Sequence, residues 1–135
     1  HLFFKNEVSL KTNLADNLPK FLCTYGDLSQ VFNIIFNNAI DAMERAPRKE
    51  IALKSFQENN YIGFEICDSG IGIKKDLLER IFEVNFSTKT MSESGGFGLG
   101  LAIAKAIINK MNGKIEVESE IDHGTCFRIF IPIGN

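Results

Sequence analysis

The run Gly95-Gly96-Phe97-Gly98-Leu99-Gly100-Leu101, followed at once by Ala-Ile-Ala-Lys-Ala-Ile-Ile, constrains this chain more than any other feature. The apolar stretch has helical spacing, which predicts a helix over about residues 99–111, closed by Asn112-Gly113 as a left-handed C-cap. Glycines at the entrance leave the first N–H groups bare. An anion can then approach the backbone and the positive end of the helix dipole. Plain tight turns look the same, and the pattern alone does not separate the two.

The remaining segments read as α+β. Residues 8–14 alternate apolar and polar side chains, as a half-buried strand does. Asp27 is the expected N-cap of a long helix that runs to about Ala46 and stops at Pro47. Residues 51–56 and 61–67 form a strand pair, residues 74–81 a short helix, and residues 84–96 an aperiodic, mobile loop. Residues 115–119 and 125–133 close the chain as a hairpin around Asp122-His123-Gly124. This order predicts one domain over residues 1–135: a two-layer α/β sandwich with a mixed, mostly antiparallel sheet and helices on one face.

At 135 residues the chain can bury roughly two-thirds of its unfolded surface. A net charge of −2 with dispersed signs argues against a dedicated nucleic-acid or membrane-surface binder. No apolar run approaches the roughly 18 residues of a transmembrane helix, and no signal peptide is visible. Cys67 and Cys126 fall in strand-like runs, and together with Cys23 they lack metal-ligand spacing. They are expected to be buried free thiols, which suits a reducing compartment. The chain opens on His1 rather than Met, so a fragment of a longer protein is expected.

In the first long helix, Gln30, Asn33, Asn37, Asp41 and Glu44 form a polar stripe, whereas Asn38 has Ile34, Ile35 and Ala42 as its neighbours one turn away. Asn38 therefore points towards the sheet, where an unsatisfied amide costs about 1–3 kcal/mol. It either bonds nearby backbone or offers its oxygen to a hard cation such as Mg²⁺; spacing does not choose. Asp68 continues the parity of Ile62, Phe64 and Ile66. It either starts an Asp-Ser-Gly turn or accepts a hydrogen bond from an exocyclic amine such as adenine's. Gly70 and Gly72 permit a sharp turn and leave room beside a flat ring. Lys89, in a loop bracketed by Phe82 and Phe86, is either solvated or reaches a terminal phosphate. His123 sits in a turn beside Gly124 and reads as surface, and His1 stands at the end of the given sequence, so neither is expected to be a base or phosphoacceptor. The glycine run, Asp68 and Asn38 together point to a nucleotide.

Taken jointly, these pieces resemble the ATP-binding catalytic domain of sensor histidine kinases, within the group that includes gyrase, heat-shock chaperone and mismatch-repair ATPase domains. Residues 30–42 are similar to the N box, Asp68-Ser-Gly-Ile-Gly72 to the first glycine box, residues 81–89 to the F box, and Gly96-Phe-Gly-Leu-Gly-Leu101 to the second glycine box. The segment from Gly124 to Pro132 resembles the final strand, and Asn-Ala-Ile-Asp-Ala-Met with Ser-Thr-Lys is most like the nitrogen-regulation type.

The resemblance implies an ATP site made of Asn37, Asn38, Asp41, Asp68, Gly70, Gly72, Ile73, Phe82, Lys89, Gly96, Phe97, Gly98, Leu99, Gly100 and Thr125. Asn38 would hold Mg²⁺, Asp68 would take the adenine amine with Thr125 helping through water, and Lys89 would join Asn38 in catalysis under a lid over residues 82–96. It further implies transfer of the γ-phosphoryl group to a His on a separate dimerisation domain, then to a response-regulator receiver domain. The isolated domain would be a cytoplasmic monomer whose parent is open to membrane tethering. Two positions depart from the pattern: Ile34 stands where related ATPases carry a water-activating Glu, and Val84-Asn85 replaces a Pro-containing segment. Ile34 argues for an external nucleophile over water. An anti-sigma-factor-type serine kinase, a non-catalytic nucleotide sensor and a free-standing ATPase are the alternatives.

Overall fold

The computed structural model describes residues 8–20, 24–84 and 97–133. The order is β1 (Ser9–Asn13), α1 (Tyr25–Ala42), β2 (Glu50–Glu58), β3 (Tyr61–Asp68), a single 3₁₀ turn (Lys75–Leu77), α2 (Phe97–Lys110), β4 (Lys114–Glu120) and β5 (Gly124–Pro132). The five strands form one sheet in the order β1-β2-β3-β5-β4. β1 pairs with β2 in parallel and every other neighbour is antiparallel, so the mixed sheet expected from sequence is present. α1 packs over β3 and α2 over β4, and the two helices pack on each other. Val31, Ile35, Ala39 and Met43 of the α1 segment meet Ile66, Ile108, Phe127 and Ile129 in the core. Among the described residues no helix is long and apolar enough to cross a membrane.

Several boundaries move for identifiable reasons. Thr24, not Asp27, caps α1: its Oγ1 accepts the Asp27 N–H at 3.2 Å. Asp27 instead lies in the first turn and pairs with Lys110 at 3.0 Å, tying the start of α1 to the end of α2. α1 stops at Ala42, four residues early, because the Ala42 carbonyl accepts from Ile71 N (3.1 Å) and not from the next helical turn. The predicted helix over residues 74–81 shrinks to the 3₁₀ turn and the turns after it, with Ile81 buried. β1 forms, but all five of its residues are exposed; it is an edge strand, beyond the strands the helices cover. α2 ends as predicted, with Asn112 at φ 60° and Gly113 N bonded to Ile108 O.

The cysteine reading is corrected. Cys67 and Cys126 are register partners on β3 and β5 and are joined by a disulfide, so they are not free thiols and give no ground for a reducing compartment. The sequence showed both in strands; only the register places them opposite each other. Cys23 lies outside the described residues.

Candidate functional site

β3 delivers Asp68 to its C-terminal end on the helix-facing side, where it is 8% exposed. Burial pushes its carboxyl up to about 6, against the backbone N–H groups of Gly70 and Thr125, which hold it down. The Gly70 N–H reaches Oδ1 at 2.8 Å. Thr125 is the register partner of Asp68 and is also buried.

Glycines allow the surrounding backbone to close in. A Cβ on Gly70 would lie 2.7 Å from the Ala42 carbonyl oxygen, so only glycine lets the loop meet the end of α1. Gly124 has φ 124°, and a side chain there would run into the Asp68 carbonyl. Gly72 abuts Glu120 of the β4–β5 hairpin; its lack of a side chain serves that packing as well as any ring. Asp122 N donates to Ile71 O at 2.8 Å, so the loop after Asp68 is bonded to α1 on one side and to the hairpin on the other.

Asn38 faces inwards from α1 as its neighbours predicted, and its Nδ2 is buried with no hydrogen-bond partner. Such a group needs an explanation, since leaving it unmade costs about 1–3 kcal/mol. The backbone bond that sequence left open is not made at that end. The two ends of a carboxamide exchange by a half-turn, so the free end can present oxygen to a cation or N–H to an anion. Among the described residues no group of three or more His, Cys, Asp or Glu is placed to hold a metal. A hard dication here would rest on a single amide oxygen, with the other ligands from polyphosphate and water, as Mg²⁺ prefers.

The other predicted residues fall as follows. Ile73 is half-buried, and its N–H reaches Ser119 Oγ at 2.8 Å. Phe82 packs edge-on to Phe127, centroids 6.4 Å apart, with Lys105 Nζ 5.1 Å above its ring. Phe97, Gly98, Leu99 and Gly100 form the first turn of α2, where N–H groups lack intrahelical partners. A Cβ on Gly100 would touch Ile34, one turn before Asn38, so α2 starts beside the Asn38 face of α1. Asp41 is half-buried, and Asn37 is exposed on the outer stripe with Asn33, apart from the Asp68 cluster. Lys89, Gly96 and the lid from Asn85 onwards lie outside the described residues.

Sequence reasoning missed Ser119, whose hydroxyl touches Ile73, Gly124 and Thr125. The signal was present: Ile115, Val117 and Ser119 share a parity, so a serine stands where the alternation calls for an apolar residue. His123 is exposed and bonded to Ile121 O at 3.1 Å, in keeping with its reading as a surface residue.

A family profile described as "Histidine kinase-, DNA gyrase B-, and HSP90-like ATPase" matches residues 24–135. Sporulation kinase E of Bacillus subtilis (strain 168) is 34% identical over 128 residues, 95% of this chain and 17% of that protein. Adaptive-response sensory kinase SasA of Prochlorococcus marinus (strain MIT 9313) is 31% identical over 134 residues, 98% of this chain and 36% of that protein. The chain thus spans well under half the length of these curated relatives. Among solved structures, the catalytic domain of histidine kinase ThkA in a nucleotide-free form superposes with a TM-score of 0.81 at 27% identity, covering 97% of this chain and 82% of that one. Full-length ShkA in complex with AMPPNP gives a TM-score of 0.79 at 25% identity, covering 97% of this chain and 27% of that one.

Proposed function

The chain belongs to the histidine kinase-, DNA gyrase B-, and HSP90-like ATPase family, and from that premise we propose that it is the Mg–ATP-binding catalytic domain of a two-component sensor kinase. The observation that carries this reading is a pair of inward polar groups on two connected elements, each held at a cost. Asp68 is a buried carboxylate whose ionisation burial disfavours, and Asn38 is a half-buried residue whose buried Nδ2 has no partner. An adenine amine answers the first and a magnesium-bound polyphosphate the second. The bound nucleotide of ShkA, a structure of the same fold, supports this assignment.

In this reading Asp68 and Thr125 grip the base edge, Gly70, Gly72 and Ile73 border the ring, and Phe82 closes one side. Asn38 holds Mg²⁺, which supplies charge neutralisation along the phosphates. Asn37, Asp41, Lys89, Gly96 and the opening turn of α2 complete the proposed phosphate end. Ile34 carries no group able to take a proton from water, which favours transfer to an external nucleophile. That nucleophile is the imidazole of a His on a separate dimerisation domain of the same kinase. It then passes the phosphoryl group to a receiver-domain Asp of a response regulator. Residues 1–135 act as one cytoplasmic, monomeric domain of that kinase, with no nucleic-acid or direct membrane partner.

Calorimetric titration with ATP and magnesium gives a saturable heat, and a purified phosphoacceptor domain becomes labelled from γ-labelled ATP. Folded chain that shows no heat at millimolar nucleotide ends the reading.

A further inference from the structure

Ser119 Oγ lies 2.8 Å from Ile73 N, 2.9 Å from Gly124 O and 2.8 Å from Thr125 Oγ1. Two of these contacts have fixed roles. The Ile73 N–H can only donate and the Gly124 carbonyl can only accept. Serine has one hydrogen; the carbonyl contact needs it, whereas the Thr125 contact can be made with either hydroxyl as donor, so all three bonds form together only when the carbonyl takes it. The third contact is then a hydrogen bond only if Thr125 donates. That commits the sole hydroxyl hydrogen of Thr125 to Ser119, and Thr125 Oγ1 has nothing but lone pairs left for other neighbours. Ser119 itself is saturated: two bonds accepted and one given.

Asp68, the register partner of Thr125, is also an acceptor when ionised. Two acceptors therefore stand side by side at the buried end of β3 and β5, and the hydrogens must come from the group that binds there.

We propose that Ser119 is a positioning residue that fixes Thr125 as an acceptor, and that this makes the site select a 6-aminopurine over a 6-ketopurine. The inference rests on the nucleotide reading above and adds a selectivity device to it. A keto oxygen meets only lone pairs here. Without the Ser119 hydroxyl, Thr125 is free to turn its hydrogen towards the ligand, and the bias against a keto oxygen weakens.

The test compares ATP with ITP, in which a keto oxygen replaces the amine and N1 gains a hydrogen, by titrating both into the folded chain. The wild type binds ATP more tightly. Ser119→Ala lowers the ATP-to-ITP affinity ratio by about threefold to tenfold, the range of one ordinary hydrogen bond. Ser119→Thr keeps the hydroxyl and keeps the ratio. In a Thr125→Val background no hydroxyl remains to reorient, so Ser119→Ala produces no further change. Thermal melts establish that each variant is folded.

If Ser119→Ala melts as a folded domain with an unaltered ratio, the inference is overturned while the nucleotide reading stands. A ratio that still drops in the Thr125→Val background overturns it too, because Ser119 then acts through Ile73. Should Ser119→Ala not fold, Thr125→Val alone decides: the ratio must fall by at least as much, and an unchanged ratio overturns the proposal. A wild type that binds neither nucleotide ends both readings.

Discussion

At the end of the β3–β5 pair where Tyr61 faces Pro132, aromatic rings cover the sheet face that carries no helix; at the other end, where Asp68 faces Thr125, polar groups are buried under the helices. Phe130 meets Phe56 and Tyr61 edge-on, at centroid distances of 6.0 Å and 6.3 Å. Gly63, between Phe56 and Phe130 in the register, leaves its place to the Phe56 ring. Lys114 Nζ stands 5.0 Å from the Phe130 centroid. This end gains from apolar area and ring contacts. The Asp68 end does the opposite: it buries a carboxylate whose ionisation is disfavoured, and it requires glycine at Gly70 and Gly124. Local choices that lower stability in this way mark the part of a fold kept for ligand chemistry.

Four substitutions separate the two ends. Phe130→Ala has the largest effect, a loss of about 3 kcal/mol in denaturant unfolding, while nucleotide affinity of the folded fraction stays within about twofold, a change worth less than one hydrogen bond. Loss of binding in folded Phe130→Ala would merge the two ends into one unit. Asn38→Ala reverses the pattern: magnesium-dependent nucleotide affinity falls about 100-fold, and stability holds or rises by up to about 1 kcal/mol because an unpaired buried amide is removed. Titrations with and without magnesium read the first effect and melts the second.

Asp68→Asn weakens ATP binding by about tenfold to thirtyfold, the worth of a charge-assisted hydrogen bond, and its pH dependence sharpens the contrast. The carboxyl pKa is raised in the fold, to about 6 from 3.8. Well below pH 3.8 the group is protonated in both states and costs nothing. As pH rises through the window from about 4 to 6 the unfolded chain ionises first, so stability falls, by at most about 3 kcal/mol. Affinity for an amine donor climbs towards and through about pH 6, as the folded carboxylate forms. Asp68→Asn removes both slopes, and urea melts and titrations across that range check it. The smallest effect belongs to Lys114→Ala: under about 1 kcal/mol of stability, the worth of an exposed cation–ring contact, with binding unaltered.

Much of this was legible because periodicity carries it. The parity of Ile62, Phe64, Ile66 and Asp68 placed Asp68 on the face of the buried isoleucines, and the helical neighbours of Asn38 turned it inwards, both as found. What the sequence concealed depends on contacts between distant segments. Ile71 claims the Ala42 carbonyl and ends α1 early. The β3–β5 register sets Cys67 against Cys126 across 59 residues. β1 has the alternation of a half-buried strand but lies at the sheet edge with all five residues exposed. Ser119 announced itself only as a polar residue on an apolar parity, and its three partners come from one other segment (Ile73) and from its own hairpin (Gly124 and Thr125).

The bond from Ile71 N to Ala42 O has one more consequence. It fastens the loop beyond Asp68 to the last turn of α1, and Asn38 sits one turn earlier on that helix. The carboxylate and the amide are thus the two jaws of a caliper whose span is set by a helical turn and a tight loop. A nucleotide bound as proposed would be gauged from base to polyphosphate against a frame assembled before it arrives.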